Sequence, residues 1–496
     1  MTRSSFRPVR SRIIATASVA AACIAVAGAA QAAPEASSLV SDRAAAPVSS
    51  LAAGEVMSYV VNSGAGTAKV ARAETAVRTA GGVVIQTWPE IGVVVAHSTS
   101  ATFATDVRLQ PTSNVITSAG PTRTAPVPAS ETPIATTGAS PNARALARQT
   151  FEQRQGVSTA TAAADPLEAD QWDMNQIRAD IASDGSRRVT VGVLDSGIDD
   201  THPDLAPNID AKDSVGCATA GVPNRSRAAW IPTTSGHGTH VAGTIAAARN
   251  GIGIVGVAAK SRLASVKVVN DDGFIYPEYA ICGFMWSAER GIDVTNNSYY
   301  IDPWTFWCSS DPTQAAAKEA VTKAVAYSEK KGVVSAAAAG NSDYDLANKT
   351  TDNTSPDDST PVTRPIDNSC LDLPAELPKV VAVAANDRAV AKSSFSNWGY
   401  GKIDVTAPGS GVLSTYPGGG YAYLSGTSMA SPHVAGVLAL LKASHPGASP
   451  AALVRMVRNQ AIPVPCPANS GGECTGTAQY NSYAGDGLVD AWKATR

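Results

Sequence analysis

The sequence predicts an α/β fold, a mostly parallel central sheet with helices on both faces, preceded by a small α+β module. From residue 167 onward, apolar strand-like runs alternate with helical stretches. This order is typical of a parallel sheet that is covered on both faces. A shorter alternation of strands and helices occupies about residues 56–118. Between the two, residues 119–165 are rich in Pro, Thr and Ala and are predicted to form a linker.

The main region contains four runs with strand character and four with helical character. The predicted strands cover residues 189–194, 263–269, 333–337 and 380–384. The predicted helices cover residues 280–290, 313–331, 432–443 and 450–459. Ligands of open α/β sheets bind beyond the carboxyl ends of the strands, so reactive side chains are expected at that edge.

The smaller module is predicted from periodicity and from Gly and Pro positions. Its strands are expected over residues 56–61, 83–88, 91–97 and 115–117, and its helices over residues 68–80 and 101–109.

The first 32 residues are predicted to be a signal peptide that is removed. Four arginines lie in the first 12 residues, and an uncharged stretch rich in Ala, Val and Ile follows. It ends in Ala30-Gln31-Ala32, the small-x-small pattern that signal peptidases recognise. A membrane anchor is the competing interpretation, but no stop-transfer charges follow the segment. We therefore expect a secreted, extracellular protein without membrane contact after cleavage.

Composition and cysteine usage agree with export. Charged residues make up 16% of the chain and the formal net charge is -3, without a basic block, so a nucleic-acid partner is not expected. Of seven cysteines, Cys23 lies in the predicted signal peptide and six remain for disulfides in an oxidising compartment. No pair has CxxC spacing, which argues against zinc or redox chemistry. A short Pro/Gly-rich connection favours pairing Cys466 with Cys474.

Three segments combine small residues with side chains that can carry out chemistry. An apolar strand ends on Asp195, and Gly197 allows a sharp turn after it. His237 and His240 lie three residues apart on a small-residue helix, whereas His97 and His445 are expected at the surface. Ser428 lies in a tight turn that opens a helix, and Pro432 is placed in its first turn.

Each of these segments also has a plainer interpretation. Asp195 could be a turn or cap residue, and Ser428 could be a helix cap. The two histidines could share a metal, although the H-E-x-x-H pattern is absent. The helix that follows Ser428 favours acyl transfer, because its first N–H groups lack partners and can bind a developing oxyanion.

Together the segments resemble the subtilisin-like (subtilase) serine proteases, in their secreted bacterial form with an inhibitor-like propeptide. The resemblance extends over about residues 172–491 and rests on four motifs, Asp195-Ser-Gly-Ile, His237-Gly-Thr-His-Val-Ala-Gly, Ala338-Ala-Gly-Asn341 and Gly426-Thr-Ser-Met-Ala-Ser-Pro-His. The chain order Asp, His, Ser is that of subtilisin. The resemblance implies a three-layer fold, with a propeptide over residues 33–118 and a peptidase domain over residues 166–496. It also implies a monomer that acts on protein or peptide substrates.

The resemblance also implies roles for individual residues. Ser428 would be the nucleophile, His237 the general base and Asp195 the residue that orients it. Asn341 and the backbone N–H of Ser428 would bind the oxyanion. Neither His240 nor His433 receives a catalytic role, and both are interpreted as structural. Substrate-binding positions would be Ser298, Ala338, Ala339 and Gly340.

Two departures from the family pattern bear on specificity. Tyr299-Tyr300 and an insertion with Trp304, Trp307 and Cys308 follow Ser298, where the family has small residues. A long acidic loop also extends from residue 342 to about 377. It is interpreted as a solvated surface excursion, with an acidic cleft rim that favours basic substrates as the alternative.

Calcium is the cofactor that the resemblance implies, in a structural role and without any catalytic metal. Asp204 and Asn250 would supply side-chain oxygens, and Glu168 is a candidate for the ligand from the N-terminal arm. Ala248, Ile252 and Ile254 would supply carbonyl oxygens, and such hard donors suit Ca²⁺.

Two rival functions remain at this stage. The first is a non-catalytic binding protein that keeps the fold, such as an adhesin, but all three triad residues and Asn341 are present and no adhesive repeat follows. The second is a secreted esterase, because the same acyl-transfer site can cleave esters. Comparing peptide with ester substrates would distinguish the esterase from a peptidase. For the peptidase, the resemblance implies that the propeptide acts as an intramolecular inhibitor.

Overall fold

The computed structural model describes residues 52, 54–131 and 165–496. The predicted signal peptide and most of the predicted linker lie outside the described residues. In the part of the chain that is described, no helix is both long enough and apolar enough to cross a membrane.

The N-terminal module is a four-stranded antiparallel sheet with two helices on one face. Its strands are β1 (Met57–Ser63), β2 (Val83–Trp88), β3 (Val93–Ser98) and β4 (Ile116–Pro121), in the order β2-β3-β1-β4. Its helices are α1 (Thr67–Thr79) and α2 (Phe103–Arg108). The last strand is longer than predicted, because residues 119–121 pair with Tyr59, Val60 and Val61 of β1.

The main region is built on a seven-stranded parallel sheet. Its strands are β5 (Thr190–Asp195), β6 (Val215–Gly216), β7 (Arg262–Lys267), β8 (Val294–Asn297), β9 (Val334–Ala338), β12 (Val380–Asn386) and β13 (Val405–Pro408), in the order β13-β12-β9-β8-β5-β7-β6. Two small ribbons are added by β10 (Thr351–Asp352) with β11 (Arg364–Pro365), and by β14 (Val412–Tyr416) with β15 (Gly420–Leu424). The predicted parallel sheet is confirmed.

Helices cover both faces of this sheet and form two separate cores. The helices in chain order are α3 (Trp172–Gln176), α4 (Arg227–Trp230), α5 (His237–Ala246), α6 (Pro277–Arg290), α7 (Ala315–Lys330), α8 (Thr427–Ser444) and α9 (Pro450–Gln460). One core joins the sheet to α5, α8 and α9, and the other joins it to α6 and α7. The three-layer arrangement predicted from the alternating strands and helices is therefore present.

The module packs its second sheet face against α6 and α7. Because side chains alternate along a strand, Val60 on β1 and Val95 on β3 lie in the core with these helices, while Met57 and Val61 lie in the module's own core. The contact also has polar anchors. Asn62 Nδ2 donates to the carbonyl oxygen of Ala316 at 2.8 Å, at the start of α7. The remaining polar contacts with α7 are Thr117 and Ser118 to Glu319 and Lys323 to Asn62 and Ser63.

His97 lies at this interface and not at the surface, so that prediction is wrong. Strand β3 alternates Val93, Val95 and His97 toward the helices, and the imidazole is fully buried. Neither ring nitrogen has a hydrogen-bond partner among the described residues. Burial lowers the pKa of His97 to about 4, with Glu278 raising it and Arg123 lowering it further. An alternating strand pattern exposes a side chain only if no other element covers that face.

Three disulfides hold loops of the main region. Cys217 pairs with Cys282 of α6, and Cys308 pairs with Cys370. The predicted pair of Cys466 with Cys474 is confirmed.

Acid is expected to weaken the docked module through His97. Above pH 6.5 the imidazole is neutral both when buried and when exposed, so it adds no pH dependence. Between pH 6.5 and about 4 only the exposed form takes up a proton, so the docked state loses stability as the pH falls, by at most about 3 kcal/mol. Thermal unfolding of a Ser428→Ala chain, which lacks the expected nucleophile, at pH 7.5 and 4.5 measures this loss.

The His97→Phe variant should lose less stability over the same interval, because phenylalanine cannot take up a proton. His445→Gln is the matched control, since His445 is half-exposed and lies outside the module. Equal losses in the wild type and in His97→Phe would contradict the assignment.

Candidate active site

The three chemistry-bearing segments meet at the carboxyl edge of the central sheet. Strand β5 ends on Asp195, helix α5 begins with His237, and helix α8 has Ser428 as its second residue. Strand β9 ends at Ala338, three residues before Asn341. The parallel sheet therefore places all four predicted residues on the side where open α/β folds build their sites.

Asp195 and His237 form the most sharply defined pair of the site. His237 Nδ1 lies 2.9 Å from both carboxylate oxygens of Asp195, and the carboxylate is buried. The backbone N–H of Ser196 also donates to Asp195 Oδ1 at 2.7 Å. Burial by itself would lower the pKa of His237, but the charge and hydrogen bond of Asp195 outweigh it and the pKa is raised above 6.5. The imidazole is thus oriented by one nitrogen and keeps the other for proton transfer.

Ser428 is held beside Ser298 of the segment after β8. Its hydroxyl donates to the carbonyl oxygen of Ser298 at 3.2 Å, and Ser298 Oγ donates to the carbonyl oxygen of Ser428 at 2.8 Å. No hydrogen bond joins Ser428 to His237 among the described residues. Catalytic hydrogen bonds are often long before substrate binds and shorten in the complex.

Helix α8 begins five residues earlier than predicted, so Pro432 lies inside the helix and not in its first turn. Proline has no N–H and cannot donate to the carbonyl of Ser428 four residues before it. The hydroxyl of Ser298 occupies that acceptor instead. The rule that proline marks a helix start fails here because a side chain from another segment compensates for the missing donor.

Two N–H donors converge beside Gly426. Asn341 Oδ1 accepts hydrogen bonds from the backbone N–H and the hydroxyl of Thr427, at 2.7 and 2.8 Å, which fixes the amide. A Cβ on Gly426 would lie 3.5 Å from Asn341 Nδ2 and 3.6 Å from the backbone N of Ser428. Two nitrogen donors from separate segments therefore lie next to one small space, an arrangement that can bind a developing oxyanion.

Asn397, a residue that the sequence motifs do not include, positions the turn that carries Asn341. Asn397 Nδ2 donates to the carbonyl oxygen of Ala339 at 2.8 Å, and its Oδ1 accepts from the N–H groups of Ser342 and Tyr344 at 3.0 and 2.9 Å. Gly340 has φ +100°, and a Cβ there would lie 2.2 Å from Asn397 Nδ2. Only glycine fits this close approach, but no motif around Asn397 indicates its role.

The other two histidines of these segments are buried and engaged. His240 Nε2 lies 3.1 and 3.0 Å from the carbonyl oxygens of Val412 and Ala422, and burial lowers its pKa to about 3. His433 lies 3.0 Å from Asp173, a carboxylate that the sequence did not single out. Neither arrangement brings His240 and His237 onto a common ligand, which argues against the metal alternative.

The predicted substrate-binding positions line the ends of β8 and β9. Ser298 and Ala338 are almost fully buried, Ala339 is fully buried, and Gly340 is partly exposed. Tyr299 and Tyr300 follow Ser298, and the hydroxyl of Tyr300 donates to Asp357 at 2.7 Å. The long acidic loop therefore contacts Tyr300, in the segment that follows β8.

This acidic loop is more buried than a solvated excursion. Three of its eight carboxylates form ion pairs, namely Asp343 with Lys392, Asp352 with Arg364, and Glu376 with Lys349 and Lys402. Burial, followed by the charge of Glu376, raises the pKa of Asp372 well above its usual range. Because three carboxylates are ion-paired and burial favours the neutral form of Asp372, the loop carries less free negative charge than its eight acidic residues indicate.

The residues predicted to bind calcium lie on two adjacent loops. Asp204 Oδ2 accepts from the N–H of Ile254 at 3.0 Å and from the hydroxyl of Tyr421 at 2.8 Å. Its buried Oδ1 has no partner among the described residues. The carbonyl groups of Ala248, Ile252 and Ile254 likewise accept no hydrogen bond within the described ranges. An unsatisfied carboxylate oxygen beside free carbonyls fits the oxygen donor set that Ca²⁺ prefers.

The N-terminal arm reaches this loop with a different carboxylate from the one predicted. Glu168 pairs with Arg249 at 3.0 Å. Asp165 is buried, and its Oδ1 accepts from the backbone N–H groups of residues 250, 251 and 252 at 2.9–3.1 Å. The arginine beside the loop draws Glu168 away, a pairing that sequence spacing does not reveal.

Sequence comparison identifies relatives of known activity. The model of the Subtilase family matches residues 186–487. Subtilisin BL from Lederbergia lenta is 36% identical over 335 residues, covering 66% of this chain and 98% of the relative. A subtilisin from Bacillus pumilus is 38% identical over 266 residues, covering 52% of this chain and 78% of the relative.

Comparison with solved structures also identifies proteases with a similar fold. Fervidolysin from Fervidobacterium pennivorans, a keratinolytic enzyme related to subtilisin, has a TM-score of 0.60 and 25% identity. The match covers 90% of this chain but 62% of the fervidolysin chain. The epidermin leader peptide processing protease of Staphylococcus aureus has a TM-score of 0.65 over 89% of this chain and 98% of its own, and its 21% identity speaks for the fold alone. The chain therefore belongs to the subtilase family of serine endopeptidases.

Proposed function

We propose that this chain is a secreted serine endopeptidase, made as a zymogen, that hydrolyses peptide bonds through Asp195, His237 and Ser428. The observation that carries the proposal is the 2.9 Å contact of His237 with both oxygens of Asp195, at the sheet edge where α8 presents Ser428. A binding protein derived from the same fold has no need for a partly exposed imidazole whose orientation is set by a buried carboxylate. The rival adhesin is for that reason the weaker candidate.

The proposed reaction proceeds through an acyl-enzyme. Ser428 Oγ attacks the scissile carbonyl while His237 takes its proton, and Asp195 stabilises the imidazolium that forms. Asn341 Nδ2 and the backbone N–H of Ser428 bind the oxyanion of the tetrahedral intermediate. His237 then gives the proton to the leaving amine. In the second half of the reaction, water attacks the acyl carbonyl while His237 takes its proton, and His237 returns the proton to Ser428 Oγ as the acyl group leaves.

The N-terminal module is proposed to be the inhibitory propeptide, removed after folding, with residues 1–32 cleaved first as the signal peptide. Its contact with α6 and α7, through a buried apolar face and polar anchors on α7, supports a stable docked state. The substrate-binding roles of Ser298, Ala338, Ala339 and Gly340 are proposed on their positions at the ends of β8 and β9.

Calcium is proposed as a structural ion held by Asp204, Asn250 and the carbonyls of Ala248, Ile252 and Ile254. When bound, it would supply positive charge to the loop after α5. Among the described residues, Asp204 bonds to Ile254 and Tyr421 and shares no hydrogen bond with Asp195 or His237.

Replacing the proposed nucleophile should abolish both proteolysis and processing. Ser428→Ala removes the attacking oxygen, so casein hydrolysis is expected to fall to background and the module is expected to stay attached in a protease-free expression host. Ser425→Ala is the matched control, since Ser425 is an exposed serine three residues before Ser428.

Assays with a peptide substrate and a simple ester separate the esterase alternative. A wild-type protein that cleaves esters but not casein would contradict the endopeptidase proposal. A normally processed Ser428→Ala protein would contradict self-processing alone.

Removing one oxyanion donor should slow turnover without weakening substrate binding. Asn341→Ala is expected to lower kcat by about 10²–10³ at similar KM, a magnitude measured for such a donor in subtilisin and borrowed here. Asn348→Ala, at an exposed asparagine of the same loop, should retain wild-type kcat. An unchanged kcat in Asn341→Ala would show that the donor is misassigned.

Chelation should speed thermal inactivation while leaving initial rates at low temperature unchanged. A metal that binds only the native state stabilises it by mass action. In the presence of calcium, Asp204→Asn should therefore inactivate faster than the wild type, and chelator should change its half-life little. Asp170→Asn, at an exposed carboxylate, should behave as the wild type. Equal inactivation half-lives with and without chelator in the wild type would remove calcium from the proposal.

A further inference from the structure

The structure extends the N-terminal module beyond β4 into the beginning of the predicted linker, residues 122–131, where the N–H groups of Thr122 and Val127 donate to the carbonyl oxygens of Ser58 and Val56. The side chain of Arg123 in this extension is buried against the peptidase domain. It follows β4, and its side chain is 1% exposed. It forms an ion pair with Glu278, in the first turn of α6, whose side chain is 0% exposed. A buried charge pair contributed by two separate modules is a costly arrangement, so its geometry matters.

The pocket around Arg123 fits a guanidinium group. The guanidinium carbon lies 3.8 Å from the ring centroid of Tyr276, and Nη2 donates to Glu278 and, at 3.1 Å, to the hydroxyl of Tyr279. Both hydrogen bonds come from the one nitrogen Nη2, and Nε has no partner among the described residues. The guanidinium-specific feature is therefore the stacking of a planar cation on an aromatic face, which arginine provides and lysine does not.

The charges of the pocket depend on the module. Within the described ranges, Glu278 forms no other ion pair, and the second acidic group, Glu131, belongs to the module. Glu131 lies 3.6 Å from Arg123 and accepts a hydrogen bond from Tyr279 at 2.6 Å. Burial by itself would raise the pKa of Glu278, but Arg123 outweighs it and the pKa is lowered. Without the module, the carboxylate of Glu278 and the two tyrosines lose the cation that Arg123 supplies.

We propose that Tyr276, Glu278 and Tyr279 form an arginine-binding site on the peptidase domain, which Arg123 fills in the uncleaved chain. The site lies in the layer of α6 and α7, on the opposite face of the sheet from α5 and α8. Once the module has left, the same site binds an arginine side chain of another polypeptide. This second step alone rests on the proposed removal of the module.

Chemical rescue in the intact chain tests the site independently of proteolysis. In a Ser428→Ala background, Arg123→Ala should speed hydrogen exchange of the β1 amides by about tenfold or more, because the module opens more often. Ethylguanidinium, which replaces the deleted atoms, should restore protection as its concentration rises. N-ethylurea, its neutral analogue, should not.

Two controls make the rescue specific. Arg72→Ala, at an exposed arginine of α1, should exchange like the parent and should not respond to either compound. Adding Glu278→Gln to Arg123→Ala should abolish the rescue, because the buried carboxylate is lost. Equal rescue by both compounds, no rescue by ethylguanidinium, or rescue that survives Glu278→Gln would each overturn the proposal.

A milder variant covers the case in which Arg123→Ala does not fold. Arg123→Lys keeps the charge without the planar stacking on Tyr276, so its β1 amides should exchange faster than in the parent. Wild-type protection in Arg123→Lys would contradict a guanidinium-specific site.

The processed enzyme tests the second step. N-acetylarginine amide should protect the α6 amides from exchange, and the neutral N-acetylcitrulline amide should not. Equal effects of the two compounds would overturn this second step and leave the first intact. A wild-type enzyme that never sheds its module would instead contradict the proposed removal of the module.

Discussion

The close approach of helix α5 to strand β5 is the constraint on which the site depends. A Cβ on Gly238 would lie 2.5 Å from the carbonyl oxygen of Gly197 and 3.0 Å from Asp195 Oδ1, so any side chain there would push the helix away. The backbone N–H of Gly238 also donates to Ser196 Oγ at 2.9 Å, which ties the helix to the segment after β5. Because His237 is the first residue of this helix, the 2.9 Å contact with Asp195 exists only while the helix stays this close.

A second close contact fixes the helix that carries Ser428. A Cβ on Gly436 would lie 2.6 Å from Val257 Cβ, so glycine sets the distance between α8 and the loop that follows α5. Near its start, α8 is tied to β8 through Ser298 and through Ser431 Oγ, which donates to Asn296 at 2.7 Å. The reactive side chains thus belong to a rigid frame whose spacing is determined by small residues, and preorganised donors of this kind cost no rearrangement during a reaction.

The sequence predicted what local patterns and motifs determine. The alternation of apolar runs with helices gave the parallel sheet, and the motifs located Asp195, His237, Ser428 and Asn341 at its edge. It failed where the decisive partner comes from elsewhere in the chain. The helix of Ser428 starts early because Ser298 compensates for Pro432, and His97 is buried because α6 and α7 cover a strand face that looks exposed in isolation. Asn397, Asp173 and Asp165 were missed for the same reason, since each acts on a segment distant in sequence.

Two buried carboxylates of this molecule are compensated in different ways. Asp195 is paired with a histidine of the same domain, so its partner stays in place. Glu278 is paired with Arg123 of the module, and breaking such a pair by removing one partner typically costs about 3–5 kcal/mol. Departure of the module therefore removes the counter-ion of Glu278 and leaves its carboxylate available to another cation. The aromatic face of Tyr276 and the hydroxyl of Tyr279 belong to the same helix segment as Glu278, and together they favour a planar cation, because such a cation can stack on the ring and donate to both oxygens.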